Sequence, residues 1–155
     1  MQAKIICILY FLLTGVLYAQ TDRSETPESI TYKVRDSSFE EVQLRLSNEL
    51  QVNAFTIVYQ INIAKALDGV AKSLEKQPLL KKGVSIGFCK PSTSYTLLEK
   101  SADALLYCPF KILIVETKDS QEVIVSFLKA PRISTHIDPK ELDAMIETII
   151  TSALD

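Results

Sequence analysis

Two cysteines carry the best-defined chemistry in this chain. Cys89 closes an apolar run in Gly87-Phe88-Cys89-Lys90-Pro91, and Cys108 opens another in Leu106-Tyr107-Cys108-Pro109-Phe110. Such a pair can form a disulfide, act as a redox couple, ligate a metal or haem, or fill a core as two small apolar side chains. A redox pair usually sits as Cys-x-x-Cys at a helix start, where backbone amides lower the thiol pKa. Here Cys89 has Lys90 as a nearby cation and Pro91 opening the next helix, which makes it the more reactive of the two. His136, the single histidine, stands just before Asp138 and a helix start. It is the weak candidate for a metal or axial haem ligand, since metal sites generally need three or four ligands. Its plainer reading is a surface or capping residue. Serine-nucleophile motifs, phosphate loops and dinucleotide fingerprints do not occur in the sequence, so no catalytic residue is assigned. Whether the chain is an enzyme stays open, with a non-enzymatic role the leading expectation. No cofactor is predicted, although a metal or haem at the cysteines is not excluded.

What must hold these residues is read from periodicity. Ile30, Tyr32 and Val34 alternate with Thr31, Lys33 and Arg35, the pattern of a half-buried strand. Ser38 with Glu41 forms a capping box for a helix whose Phe39, Val42, Leu46 and Leu50 share one face. AFTIVYQI is β-branched and aromatic, a second strand. Asn62 caps a second helix with Ile63, Leu67, Val70 and Leu74 at helical spacing, weakened by Gly69 in its middle. After the loop EKQPLLKKG, GVSIGFC is a third strand. Pro91 opens a short helix with Tyr95, Leu98 and Ala102 inward. FKILIVET and EVIVSFL form a hairpin across Lys118-Asp119-Ser120. Asp138-Pro139 starts a last helix with Leu142, Met145, Ile149 and Ala153 on its inner stripe. This order predicts an α+β fold: a two-layer α/β sandwich whose mixed, largely antiparallel sheet has about five strands, with helices packed mainly on one face.

The thiols then depend on topology. If the strands they bound are antiparallel neighbours, both cysteines lie at one end of the sheet, within the roughly 4.4–6.8 Å Cα separation a disulfide requires. If a crossover joins parallel strands, they lie at opposite ends. In the hairpin, Ile112 and Ile114 face one side and Leu113 and Val115 the other, while Val123, Val125 and Phe127 oppose Ile124 and Leu128. Strands apolar on both faces are covered on both faces. The second cover is a partner, a ligand or another helix, and the Phe110–Leu128 hairpin is the expected surface for a homodimer or protein partner.

The N-terminus indicates where the chain goes. Lys4, the uncharged apolar stretch Ile5 to Tyr18 and the small residue Ala19 precede the polar TDRSETPES, a secretory pattern with cleavage after residue 19. The apolar stretch is short for a membrane span, which needs about 20 residues. Residues 1–19 therefore read as a signal peptide, 20–29 as a flexible leader and 30–155 as one domain, periplasmic or secreted, with no integral membrane segment once the signal is removed. Without Lys4 there remain 16 basic and 19 acidic residues, a balance that gives no footing for nucleic acid.

Ser38-Phe39-Glu40-Glu41, Phe55 to Ile63, Gly87 to Pro91 and Leu105 to Val115 together resemble the domain-of-unknown-function 302 family, a small bacterial and archaeal α/β domain. Family members carry Gly-x-Cys-Asn-Pro and Leu-Leu-Pro-Cys-Asn segments. Here Lys90 replaces the asparagine and Pro109 follows the cysteine, so a role built on those asparagines does not transfer. The likeness implies a fold and brings no mechanism. The expectation is an uncharacterised exported domain that binds a ligand or partner. The alternative is a periplasmic thiol-redox, metal- or haem-handling protein using Cys89 and Cys108, with Lys90, Pro91 and Pro109 as site neighbours.

Overall fold

In a computed structural model, which describes residues 21–132 and 138–155, the chain forms one antiparallel sheet backed by two helices. The strands are β1 Thr21–Glu25, β2 Ser29–Val34, β3 Thr56–Asn62, β4 Leu80–Cys89, β5 Phe110–Thr117 and β6 Val123–Leu128. The helices are α1 Phe39–Val52, α2 Ile63–Ser73, α3 Pro91–Lys100 and α4 Pro139–Leu154, with a 3-10 turn at Ala102–Tyr107. The sheet order is β1-β2-β6-β5-β4-β3, and every pairing is antiparallel. The α+β class holds, with six strands in place of five and no parallel pair. The sixth is β1, which lies in the stretch read as a flexible leader; from Thr21 that stretch is a sheet edge paired to β2. Its alternation is too polar to signal a strand, because an edge strand with both faces partly wet needs no apolar stripe. The proposed signal residues and His136 lie outside the described residues.

The main core lies between the sheet and α1 with α4. Ile30, Tyr32 and Val34 of β2, Val84, Ile86 and Phe88 of β4, Ile112 and Ile114 of β5, and Val123, Val125 and Phe127 of β6 all turn to this side and are buried. Against them pack Phe39, Val42, Leu46 and Leu50 of α1. From α4 come Leu142, Ile146, Ile149, Ile150 and Ala153, with Met145 half-buried at the margin. Local chemistry sets the helix starts: the Ser38 hydroxyl accepts from Glu41 N–H at 3.2 Å, Asn62 Oδ1 from Lys65 N–H at 2.8 Å, and Asp138 Oδ1 from Lys140 N–H at 3.0 Å. Each satisfies an amide that a helix start leaves open.

Helices α2 and α3 behave otherwise. Neither covers a sheet face: in α2 only Ala64 is buried, and in α3 only Leu97. Tyr95 and Leu98, expected inward, are 66% and 46% exposed. Leu97 and, beyond the helix, Ala104 of the 3-10 turn take the inner positions.

At the opposite edge of the sheet, β1 is tied to α4 by a charged network. Arg23 bridges Glu147 and Glu25, the Tyr32 hydroxyl donates to Glu147 Oε1 at 2.7 Å, and Lys129 pairs with Glu25. The Arg23 hydrogen bond holds the Glu147 carboxyl below its usual value. Burial, reinforced by Glu147, pushes the Tyr32 phenol up to about 12.

Candidate functional site: the disulfide corner and the open sheet face

Because β4 and β5 are antiparallel neighbours, the end of one adjoins the start of the next. Cys89 and Cys108 meet there as a disulfide, with Cα atoms 5.5 Å apart and a sequence separation of 19. An aromatic cluster lies at the same end of β4 and β5. Phe55 and Phe88 meet edge to face at 5.5 Å, and Phe88 and Phe110 lie 5.9 Å apart. Cys89 is buried, whereas Cys108 keeps part of its surface at solvent. Of the expected neighbours, Lys90 sits over the Phe55 ring with Nζ 5.2 Å from its centroid, a cation–π contact worth roughly 0.5–1 kcal/mol at an exposed site. Pro91 is the first residue of α3, and the exposed Pro109 follows a cis peptide bond. With the sulfurs bonded there is no thiolate to ligate a metal. Among the described residues no group of three His, Cys, Asp or Glu side chains converges on a point.

The registers build a second feature that periodicity only half revealed. On the sheet face away from α1 and α4, the row nearest the disulfide reads Tyr59, Gly87, Lys111, Leu128, Ser29. The next reads Ile61, Ser85, Leu113, Ser126, Thr31, and the third Gly83, Val115, Ile124, Lys33. Leu113, Val115 and Ile124 are only half-buried and Leu128 is 61% exposed, while Ile112, Ile114 and Val125 on the opposite face are at 0%. Beside this apolar ridge of β5–β6, Gly83, Ser85 and Gly87 of β4, next to the edge strand β3, are buried. Tyr59 lies across Gly87, where a Cβ would collide with its ring. A glycine in a strand here permits close approach of a neighbour.

At the disulfide end this face runs into a cleft of about 300 Å³, bordered by Tyr59, Leu106, Pro109, Lys111 and Leu128. The Tyr107 hydroxyl donates to the Pro131 carbonyl at 2.6 Å and shapes its wall. Sequence reasoning found the doubly apolar hairpin and missed Tyr59, Gly87 and Leu106. The signal for Tyr59 was a large aromatic paired with a glycine across two strands, which becomes visible only once register is known.

A six-stranded antiparallel sheet with two covering helices, a stapled corner and one open face defines a small α+β sandwich domain. The chain belongs to the family described as domain of unknown function DUF302, which matches residues 30–153. It is similar to a solved structure, an uncharacterized conserved protein DUF302 from Bacillus stearothermophilus, with a TM-score of 0.62 and 19% identity, covering 84% of this chain and 98% of that one. At that identity the likeness speaks for the fold. No functionally curated protein matches the chain.

Proposed function

We propose that the protein is an exported, non-enzymatic binding domain that works as a homodimer joined through the open face of the β5–β6 hairpin. One observation carries this reading: Leu113, Val115, Ile124 and Leu128 form a contiguous apolar ridge that the described residues leave half-covered. Ridges of that kind on soluble domains mark interaction surfaces. A second copy supplies the matching apolar rows. Export is supported by Lys4, the apolar stretch Ile5 to Tyr18 and Ala19. It is supported also by the Cys89–Cys108 bond, since disulfides persist in oxidising compartments. Periplasm or secretion is the proposed location.

Light scattering after gel filtration tests the dimer. The expected mass is twice that of one chain, and Ile124→Lys should halve it without lowering the melting temperature. A monomer at micromolar concentration removes the reading. N-terminal sequencing of the exported protein is expected to begin at Gln20.

A second reading, a thiol-redox protein acting through Cys89 and Cys108, is favoured by the partial exposure of Cys108. Metal or haem handling by the same pair requires the bond to be reduced first. Cys89→Ser and Cys108→Ser discriminate: loss of in vivo function at unchanged stability favours the redox reading, and loss of stability alone favours a staple.

A further inference from the structure

The cleft of about 300 Å³ at the disulfide end of the open face has a chemistry of its own. Tyr59 and Lys111 flank Gly87 from the strands on either side, and the Tyr59 ring lies across that glycine. Leu106 of the 3-10 turn and Leu128 at the end of β6 are 74% and 61% exposed. Pro109 is exposed beside them. Two cations, Lys111 and Lys129, line the cleft, and no carboxylate does. Lys129 is neutralised by Glu25. Asp143, which is not a lining residue, accepts from the Ala130 N–H at 2.7 Å. Lys111 is exposed and has no ion-pair partner among the described residues. The cleft therefore joins an apolar wall to one uncompensated positive charge, in a chain of net charge −2.

The larger hollow, about 510 Å³ between the first turns of α1 and α2 and the start of β4, lacks that bias. There Lys82 pairs with Glu40 at 2.6 Å, Lys81 pairs with Glu116, and Lys65 shares the wall with Asp68. Its charges cancel, so it favours neither sign of ligand.

Size and charge together define what the smaller cleft takes. Small-molecule sites run from about 300 to 1,000 Å³, so this one has room for a single ring and its substituent. A nucleotide or a folded partner is too large. One ammonium without a guanidinium fork beside it answers a single negative charge, whereas a phosphate draws several donors. We infer that the cleft binds a small organic carboxylate with an apolar body of one ring. The carboxylate meets Lys111, and the ring lies among Tyr59, Leu106 and Leu128. This rests on the reading of the protein as a binding domain and supplies its ligand class, but it does not require the dimer. Apolar contact provides most of the affinity, and the exposed lysine selects the sign.

Benzoate is the probe, titrated into the ¹⁵N-labelled exported protein while backbone amide shifts are followed. A ligand this small in an open cleft should bind with a dissociation constant on the order of millimolar. The saturating shifts should be confined to Tyr107, Lys111, Leu128 and their neighbours. Benzyl alcohol, with the ring and no charge, should bind there roughly threefold to fivefold more weakly, the contribution of one exposed ion pair. Benzylammonium should leave these amides unmoved. Lys111→Gln, checked for an unchanged melting temperature, should bring benzoate down to the level of the alcohol and leave the alcohol as it was. Leu106→Ala, at an exposed position, should weaken both alike.

Three results overturn the inference: benzylammonium binding as well as benzoate, Lys111→Gln titrating like the wild type, or shifts spread equally over the exposed Leu67 and Val70 of α2. Light scattering on the same samples separates this from the dimer. A monomer that still binds benzoate at Lys111 ends the dimer reading and upholds the ligand site. A dimer whose Lys111 and Leu128 amides ignore benzoate does the reverse.

Discussion

Opening the Cys89–Cys108 bond removes a constraint whose size follows from the chain it closes. The cysteines are 19 positions apart, and the loop-entropy relation gives about 3 kcal/mol for a ring of that length. The native state loses little else in a Cys89→Ala, Cys108→Ala variant. Cys89 is buried but small, Cys108 is partly at solvent, and the β4–β5 ladder from Leu80 to Phe88 is intact without the sulfurs. For a domain of this length, about 3 kcal/mol corresponds to a fall in melting temperature of roughly 10 °C. The entropic term acts on the unfolded chain, so unfolding should become easier everywhere. Local opening should concentrate where the ring lies, in α3 and the 3-10 turn, which bury only Leu97, Ala104 and Tyr107.

The assay is a pair of thermal melts on the wild type, with and without dithiothreitol, beside the double variant. The reduced wild type should melt with the variant, and reductant should leave the variant unmoved. Hydrogen exchange should speed up first between residues 91 and 107. If reduction costs less than about 1 kcal/mol, the excursion is already closed by its own packing and the staple argument fails. Two alkylatable thiols in denaturant without reductant would remove the bond itself.

Two backbone positions should accept stabilising changes. Gly69 has open space around its missing Cβ in the middle of α2, and Ala54 holds a left-handed φ of 59° at the end of α1. Gly69→Ala and Ala54→Gly are each expected to raise unfolding free energy by roughly 0.5–1 kcal/mol, read from urea melts. The Glu147 network should show in the pH dependence. Its carboxyl is held low by the Arg23 hydrogen bond, and next by that of Tyr32 against an opposing burial effect. Its contribution is therefore complete above the ordinary glutamate range and lost as the pH falls through the lowered value, and Glu147→Gln should flatten that acid limb. At the other extreme the folded state holds the Tyr32 proton, so stability should fall as the pH climbs from 10 towards about 12. Tyr32→Phe should abolish that slope in melts taken across the alkaline range.

The sequence made the buried side of the fold readable because burial there is dictated by period alone. Phe39, Val42, Leu46 and Leu50 fall on one helical face, and Ile30, Tyr32 and Val34 on one strand face. Each set ends in the core with no competing place to go. The antiparallel hairpin followed from its polar turn, and the cysteine pairing was conditional on topology, which the β4–β5 neighbourhood resolved. Three parts were illegible for distinct reasons. Strand β1 carries no apolar alternation, since its edge position and the Arg23–Glu147 ion pair to α4 hold it instead. The inner residues of α3 differed from the expected Tyr95, Leu98 and Ala102, which are all exposed. The ten-residue helix buries a single residue, Leu97, and the next inner positions, Ala104 and Tyr107, belong to a 3-10 turn with a different period. Tyr59 over Gly87 exists only through register, which no single strand encodes.

The same contrast explains why α2 and the β5–β6 ridge are the informative surfaces. Leu67, Val70 and Leu74 have as regular a helical spacing as Val42, Leu46 and Leu50, yet one trio is half-exposed and the other is at 0–1%. Amphipathic period states that a face seeks apolar cover and leaves unstated whose cover it is. Among the described residues there are two long helices, both committed to one side of the sheet, so two apolar surfaces remain after the described elements are used. Evolution trims stray exposed apolar stripes readily, because a single polar substitution on a solvated helix costs almost nothing in stability. Stripes of four large aliphatic residues on two separate elements are therefore better explained by what they touch outside the chain than by the needs of folding.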